Sequence, residues 1–343
     1  MNKLEISEEP ILVTGTAGFI GFHLAWRLLR EGHKVVGIDM VNDYYDVNLK
    51  EDRLKVLQQF EGFTFHRFNL MEKERLFECF EEYKFKYAIN LAAQAGVRHS
   101  LTHPQDYVDY NITAFLNILE ACKKYGIEHL IYASSSSVYG ANTKLPFSVQ
   151  DNIDHPVSLY AVSKKTNELM AHAYSVNYNI PTTGLRFFSA YGPWGRPDMA
   201  LFIFATKMLK GEPIDVYNNG EMLRDFTYVD DILECICRLL PNPSLPDLKW
   251  DAKKPSPASS FGPYRIFNIG NNSPVELMEF IRAIEQEIDK KAQINYLPLQ
   301  MGDVPASFAD ASELEEAVGY KPQTTVAEGM KQFLSWFREY YKL

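Results

Sequence analysis

Pro10-Ile11-Leu12-Val13-Thr14-Gly15-Thr16-Ala17-Gly18-Phe19-Ile20-Gly21 is the stretch that decides the fold. Its apolar run is short and enters a glycine turn, which reads as a buried strand ending at Gly15. From Phe19 to Glu31 the apolar residues recur at helical spacing, and Gly32 closes the run. Lys34-Val35-Val36-Gly37-Ile38-Asp39 is a second strand. Strand, turn, helix, strand is a βαβ unit, and that unit requires a parallel sheet with a right-handed crossover.

Gly15, Gly18 and Gly21 are spaced G-x-x-G-x-x-G, one residue wider than the commoner dinucleotide fingerprint. The physics is unchanged. Glycines let backbone approach a pyrophosphate, and the helix N-terminus offers amides and positive dipole. Asp39 ends the second strand, where an acid bonds an adenosine ribose hydroxyl. A carboxylate there repels a 2′-phosphate, and no arginine follows it closely, so the expected cofactor is NAD rather than NADP.

Working outward, Phe63–Arg67, Tyr87–Leu91, His129–Ala133 and Thr182–Arg186 read as further strands. Helical patterns at Lys73–Tyr83, Tyr107–Tyr125 and Leu159–Tyr178 separate them. The alternation predicts an α/β fold with a doubly wound, Rossmann-type parallel sheet. After about Phe188 the pattern loosens. Pro241 to Pro263 reads as a surface loop, with short strands at Asp215–Tyr217 and Gln293–Tyr296 and helices at Pro274–Asp289 and Val326–Lys342. The expected organisation is a cofactor domain over residues 1–187, with segments returning near 226–240 and 264–270. Residues 188–225, 241–263 and 271–343 form a smaller α/β substrate domain. Ligands of such folds bind at the carboxyl edge of the sheet.

Composition excludes several classes. The 343 residues are 46% hydrophobic, enough for a substantial core, and the net charge of −9 with no basic tract argues against nucleic-acid binding. No apolar run is long enough for a bilayer. The polar, acidic start over Met1–Pro10 reads as neither a signal peptide nor an anchor. Cys79, Cys122, Cys235 and Cys237 lack metal or redox spacing, and the eight histidines are scattered, so no metal site and a cytoplasmic location are expected.

Tyr160 stands four residues before Lys164, on one face of a predicted helix. Tyrosine titrates near ~10 and is a poor base unless a cation favours its ionised form. Beside a nicotinamide, such a phenol can take an alcohol proton as hydride leaves the same carbon. Upstream lies the serine cluster Ser134–Ser137. The segment Asn90–Gly96 offers small residues at a strand end, which suit a flat ligand or close helix packing.

At this point the chain resembles an extended short-chain dehydrogenase/reductase of the nucleotide-sugar epimerase/dehydratase branch. The matching blocks are Val13–Gly21, Ala133–Gly140, Tyr160–Lys164 and Arg224–Asp231, in the family's order. A narrower resemblance, to the UDP-glucuronate 4-epimerases, rests on Asp43–Asp46, Ala95–Arg98, Gly140–Asn142, Gly192–Met199 and Gly270–Glu276. The resemblance implies Tyr160 as acid and base at the C4 hydroxyl, with Lys164 holding the nicotinamide ribose and lowering the phenol's pKa. Ser135 would bond the reacting oxygen. It sets Ala17, Phe19, Ile20, Asn69, Leu70, Leu91, Ala92, Ala93, Gln94, Asn111 and Ser134 against the cofactor, beside the three glycines and Asp39. Asn69 stands where the family often has an acid, and its carbonyl oxygen can still accept. Arg224 would clamp the diphosphate of a UDP-sugar, with Met199, Phe202, Val216 and Tyr217 around it. A homodimer through the helices at Tyr107–Tyr125 and Leu159–Tyr178 is implied on the same basis.

Ser136 and Ser137 stand where 4,6-dehydratases carry an Asp-Glu pair, and a UDP-xylose-forming decarboxylase has a glutamate at the second place. Serines cannot do that acid–base work. The implied reaction is therefore 4-epimerisation of UDP-glucuronate to UDP-galacturonate, of the kind that supplies polysaccharide biosynthesis. The alternatives are a UDP-glucose or UDP-N-acetylhexosamine 4-epimerase, and further off a UDP-glucuronate decarboxylase. Candidates for the C6 carboxylate are Arg196, Ser189 and Ser137, with Arg98 in reserve. The other reading of Arg196 is a loop arginine paired to Asp198. Glu313–Glu316 reads as a solvated helix face.

Overall fold

The computed structural model describes residues 9–300 and 302–343. The acidic start over residues 1–8 lies outside them. Six parallel strands come first: β1 (Ile11–Thr14), β2 (Val35–Asp39), β3 (Phe63–Arg67), β4 (Tyr87–Asn90), β5 (His129–Ser135) and β6 (Thr182–Phe187). Then follow β7 (Ser189–Tyr191), β8 (Ile214–Val216), β9 (Leu223–Tyr228) and β10 (Tyr264–Ile269). The large sheet runs β10-β6-β5-β4-β1-β2-β3, parallel throughout. Strand order reverses between β1 and β4, which opens a crevice at their carboxyl ends. Isoleucine, leucine and valine fill β1 and β2 because both faces of a parallel sheet are covered.

The second part is built from β11 (Pro274–Glu276), β12 (Ile294–Tyr296) and β13 (Ala306–Ser307) together with β7, β8 and β9. β9 carries β11 antiparallel, and β13 and β7 parallel, while β12 pairs with β8. Asp225 organises this end. Its carboxylate, without solvent exposure, accepts from the amides of Asn271, Asn272 and Ala309 at 2.7–3.1 Å. Tyr264–Ile269 joins the large sheet, and the helix Val229–Leu239 lies on the helix Phe19–Arg30, where Arg27 meets Glu234 at 2.5 Å.

Two elements differ from the periodicity reading. Pro274–Glu276 is a strand before the helix Leu277–Ile288, because β9 offers it an edge that helical spacing cannot reveal. The stretch around Tyr107–Tyr125 is broken into a short helix Pro104–Tyr107, a π-helical turn Val108–Thr113 and the helix Ala114–Tyr125. The wide turn brings Asn111 inward, where it is buried between the loop after β4 and the helix Leu159–Tyr178. Glu313 is not simply solvated. It pairs with Arg265 at 2.6 Å and accepts from Gln150.

Beneath the carboxyl ends of β5 and β6 sits a buried ion pair. Arg186 donates from Nε and Nη2 to both oxygens of Glu168, at 2.9 and 3.0 Å. Tyr139 and Ser134 complete it, the serine donating to Glu168 at 2.6 Å. Glu168→Leu leaves a buried guanidinium without its counter-charge. The expected loss of unfolding free energy is about 3–5 kcal/mol by chemical denaturation, and a loss below about 1 kcal/mol contradicts this account.

Candidate active site

Gly15 turns at φ +77°, and a Cβ there would lie 2.8 Å from the amide nitrogen of Ala92. A Cβ on Gly21 would lie 2.1 Å from the carbonyl of Gly15. The loop therefore closes on itself and on the segment after β4, and only glycine permits both approaches. Thr14 ties the same two strand ends, donating to Asn90 at 2.7 Å and accepting from Ala92. The helix Phe19–Arg30 starts with Gly18 at its N-cap, with no side-chain cap and no acid in its first turn. Its first-turn amides and positive dipole are open to an anion.

Asp39 is placed beside this loop, and its carboxylate already accepts from the amides of Ala17 (3.0 Å) and Val41 (2.7 Å). Desolvation raises its pKa against those amides and the nearby Lys50 and Arg53. Each oxygen keeps a lone pair for a ribose hydroxyl. Leu91, Ala92 and Ala93 lie along the crevice edge, partly or fully exposed. Gln94 and Asn111 are engaged with each other: the Gln94 amide donates to Asn111 Oδ1 at 2.7 Å, and Asn111 Nδ2 donates back to the Gln94 carbonyl. Asn111 also reaches Ser163, fixing the helix Leu159–Tyr178 against this loop. Asn69 uses its side-chain oxygen to cap its own turn at Met71, and Leu70 is buried. Ser134 spends its hydroxyl on Glu168, beneath the crevice.

Tyr160 and Lys164 lie on the first turns of the helix Leu159–Tyr178, capped by Ser158 on the Ala161 amide. Ser135, at the end of β5, lies near enough to the Tyr160 phenol to favour its ionised form, and its hydroxyl donates to Ser137 Oγ at 3.1 Å. Ser135 also accepts from the Ser137 amide, and with Ser136 and Ser137 it begins a turn leading to Tyr139. Desolvation raises the Tyr160 phenol above 10.0, with Ser135 and the charge of Arg196 working the other way. Lys164 donates to the Ala133 carbonyl at 3.0 Å, and burial pushes its ammonium down to about 8. This differs from the expectation that Lys164 lowers the phenol. The cation acting on Tyr160 here is Arg196, because Lys164 is turned to the strand end.

An open cleft of about 230 Å³ lies against Arg196 and the start of the glycine-loop helix. Among the expected substrate residues, Arg98, Ser189, Arg196, Met199, Phe202, Tyr217 and Arg224 line it, as does Phe19 of the glycine loop. Val216 is buried and does not line it. Arg224 donates to the backbone carbonyls of Leu223, Val304 and Pro305, with Asp303 the nearest opposing charge. Arg98 lies 5.8 Å from the centre of the Tyr217 ring. Arg196 is indeed paired with Asp198, from Nε at 3.0 Å and Nη2 at 2.5 Å. Among the described residues no cluster of three His, Cys, Asp or Glu side chains could hold a metal.

One organiser, Arg53, was not anticipated. Arg53 has no exposed surface, and it donates to the Ala17 carbonyl and the Tyr45 hydroxyl, both at 2.7 Å. It also donates to the carbonyls of Trp194 and Gly195. Tyr44 reaches Asp198 from the loop after β2. The signal for Arg53 was present: Leu49, Lys50, Arg53, Leu54 and Leu57 are the buried face of their helix, and two of the five are cations.

The family described as NAD dependent epimerase/dehydratase matches residues 11–270. Protein CapI of Staphylococcus aureus is 56% identical over 332 residues, covering 97% of this chain and 99% of that protein. UDP-glucuronate 4-epimerase 4 of Arabidopsis thaliana is 43% identical over 337 residues, covering 96% of this chain and 76% of that protein. The solved UDP-glucuronic acid 4-epimerase of Bacillus cereus, in complex with UDP-glucuronic acid and NAD, superposes with a TM-score of 0.84. Its identity is 30%, covering 97% of this chain and 100% of that one.

Because burial dominates at Tyr160, its phenol stays protonated through neutral pH in the ligand-free protein. The difference in ultraviolet titration between wild type and Tyr160→Phe is expected to show a midpoint above 10.0. A midpoint well below it contradicts the electrostatics described.

Proposed function

This chain belongs to the NAD dependent epimerase/dehydratase family, and we propose that it interconverts UDP-glucuronate and UDP-galacturonate by inverting C4. The observation that carries the reading is a cleft lined by Arg98, Ser189, Arg196 and Arg224 that also takes in Phe19 of the uncapped glycine-loop helix, with the charge of Arg196 reaching the Tyr160 phenol. The loop fits NAD: its glycines leave room where a Cβ would clash, its first-turn amides are open, and Asp39 faces it from β2. Gly15, Gly18 and Gly21, with the amides of Phe19 and Ile20, would hold the pyrophosphate, and Asp39 the adenosine ribose. Lys164 would leave the Ala133 carbonyl for the nicotinamide ribose. When bound, NAD supplies a hydride acceptor for C4 and, oxidised, a positive charge that favours the phenolate.

Tyr160 then takes the C4 hydroxyl proton, and Ser135 donates to the same oxygen. After the 4-keto sugar turns over, its C4 presents the opposite face to the returning hydride, and Tyr160 gives the proton back to the C4 oxygen. Arg224 would hold the diphosphate, since among the described residues its guanidinium donates to neutral groups, three backbone carbonyls and the Met222 thioether. Arg196, Ser189 and Ser137 would receive the C6 carboxylate. A β-keto acid loses CO₂ readily, and the absence of a carboxylic acid at Ser136 and Ser137 favours hydride return over elimination or decarboxylation.

In the same reading, residues 1–187 with 226–240 and 264–270 carry the cofactor, and the rest carry the sugar. The pair of helices Ala114–Tyr125 and Leu159–Tyr178 meets a second copy of the chain. Leu116, Val162 and Leu169 support this, being large apolar side chains left exposed on those helices. Four buried thiols with no disulfide suit the reducing cytoplasm.

Purified protein given UDP-glucuronate and no added cofactor is expected to form UDP-galacturonate, seen by NMR, without CO₂ or free NADH. Tyr160→Phe is expected to lower kcat by about 10²–10⁴-fold while substrate still binds. Turnover of UDP-glucose alone, with UDP-glucuronate untouched, overturns the substrate assignment.

A further inference from the structure

Arg196 is already occupied where a substrate carboxylate would meet it. Asp198 takes two of its donors, Nε at 3.0 Å and Nη2 at 2.5 Å. Tyr44, from the loop after β2, donates to the same carboxylate at 3.3 Å. Both Arg196 and Asp198 line the cleft. A hexuronate arriving here meets a neutralised cation with a like charge beside it. Two carboxylates sharing the Nε–Nη2 edge of one guanidinium repel each other, which favours release of one as the other binds there.

We propose that Asp198 is the resident counter-ion of the uronate subsite: it holds the Arg196 fork while the cleft is empty, and the hexuronate carboxylate exchanges with it. The inference rests on the C6-carboxylate reading given above. Three features make exchange feasible. The two side chains keep 22% and 30% of their surface in contact with solvent, so neither is stranded as a dry charge when the pair opens. Tyr44 remains as a donor to Asp198 after Arg196 has turned to the substrate. The backbone of the loop is anchored separately, by Arg53 on the carbonyls of Trp194 and Gly195, so side chains can re-pair without moving the chain.

Exchange also preserves charge at the reacting centre. Arg196 acts on the Tyr160 phenol, and one carboxylate replacing another leaves that influence in place. A neutral hexose leaves the pair closed and neither gains nor loses by it. Asp198 therefore tunes affinity for uronates alone, which makes it a specificity-determining residue.

The test is calorimetric binding of UDP-glucuronate and UDP-glucose to wild type, Asp198→Asn and Tyr44→Phe. Asp198→Asn keeps the shape and removes the competing charge, so it is expected to tighten UDP-glucuronate by about fivefold and move UDP-glucose by less than about twofold. Tyr44→Phe removes the displaced carboxylate's remaining donor and is expected to weaken UDP-glucuronate only. A static brace for Arg196 behaves oppositely: Asp198→Asn then weakens the uronate or leaves it unchanged, and the inference falls. Turnover by wild type is read separately. If UDP-glucuronate binds with the expected pattern but is not epimerised, the exchange stands and the proposed reaction fails.

Discussion

A guanidinium without water around it governs this molecule. Arg53 projects from the buried face of the helix Val47–Leu57 and reaches three separate pieces of chain: the glycine loop at Ala17, the loop after β2 at Tyr45, and the loop after β7 at Trp194 and Gly195. A buried cation is costly unless its donors are satisfied, so these segments are drawn together by its hydrogen-bonding needs. Asp39 lies close enough to feel its charge and binds the Ala17 amide from the opposite side. His23 adds a parallel tie, bonding the Pro193 carbonyl at 2.8 Å, with burial pushing its ring down to about 4. The glycine loop and the loop that carries Arg196 are thereby tied to each other.

The same logic repeats on the other side of the crevice. Asn111 joins the segment after β4 to the helix bearing Tyr160, and Glu168 with Arg186 joins that helix to β5 and β6. Tyrosine, serine and lysine are thus held by buried polar networks rather than by loops alone. Rigid placement is what proton transfer between a phenol and a hydroxyl requires. The cleft is built differently, its cations Arg224 and Arg196 meeting backbone carbonyls and the Asp198 carboxylate. That contrast suits a fixed cofactor and a sugar that must turn over within its site.

Much of this was legible in the sequence because it depends on local pattern. Strand–glycine–helix order gave β1, the first helix and β2 nearly to the residue, and Tyr160 with Lys164 followed from spacing on one helix face. What stayed hidden depends on contacts far apart in the chain. β11 is a strand only because β9 lies beside it, and the π-helical turn at Val108–Thr113 exists where Asn111 must point inward. The sequence reading singles out no helix at Val47–Leu57, and Arg53 and Lys50 acquire a role only when set against Leu49, Leu54 and Leu57 on its buried face. The orientation of Lys164 towards Ala133 was beyond reach, since spacing fixes which face a residue occupies but not which acceptor it chooses.

The central claim is that the hydrogen removed from C4 returns to C4 within one closed site. UDP-glucuronate carrying deuterium at C4 tests it directly, with the product followed by NMR and mass spectrometry. Full retention of deuterium at C4 of the inverted sugar, with none in solvent or in free NADH, is the predicted result. Loss of the label during inversion contradicts the account, because the proton and the hydride would then be taking another route.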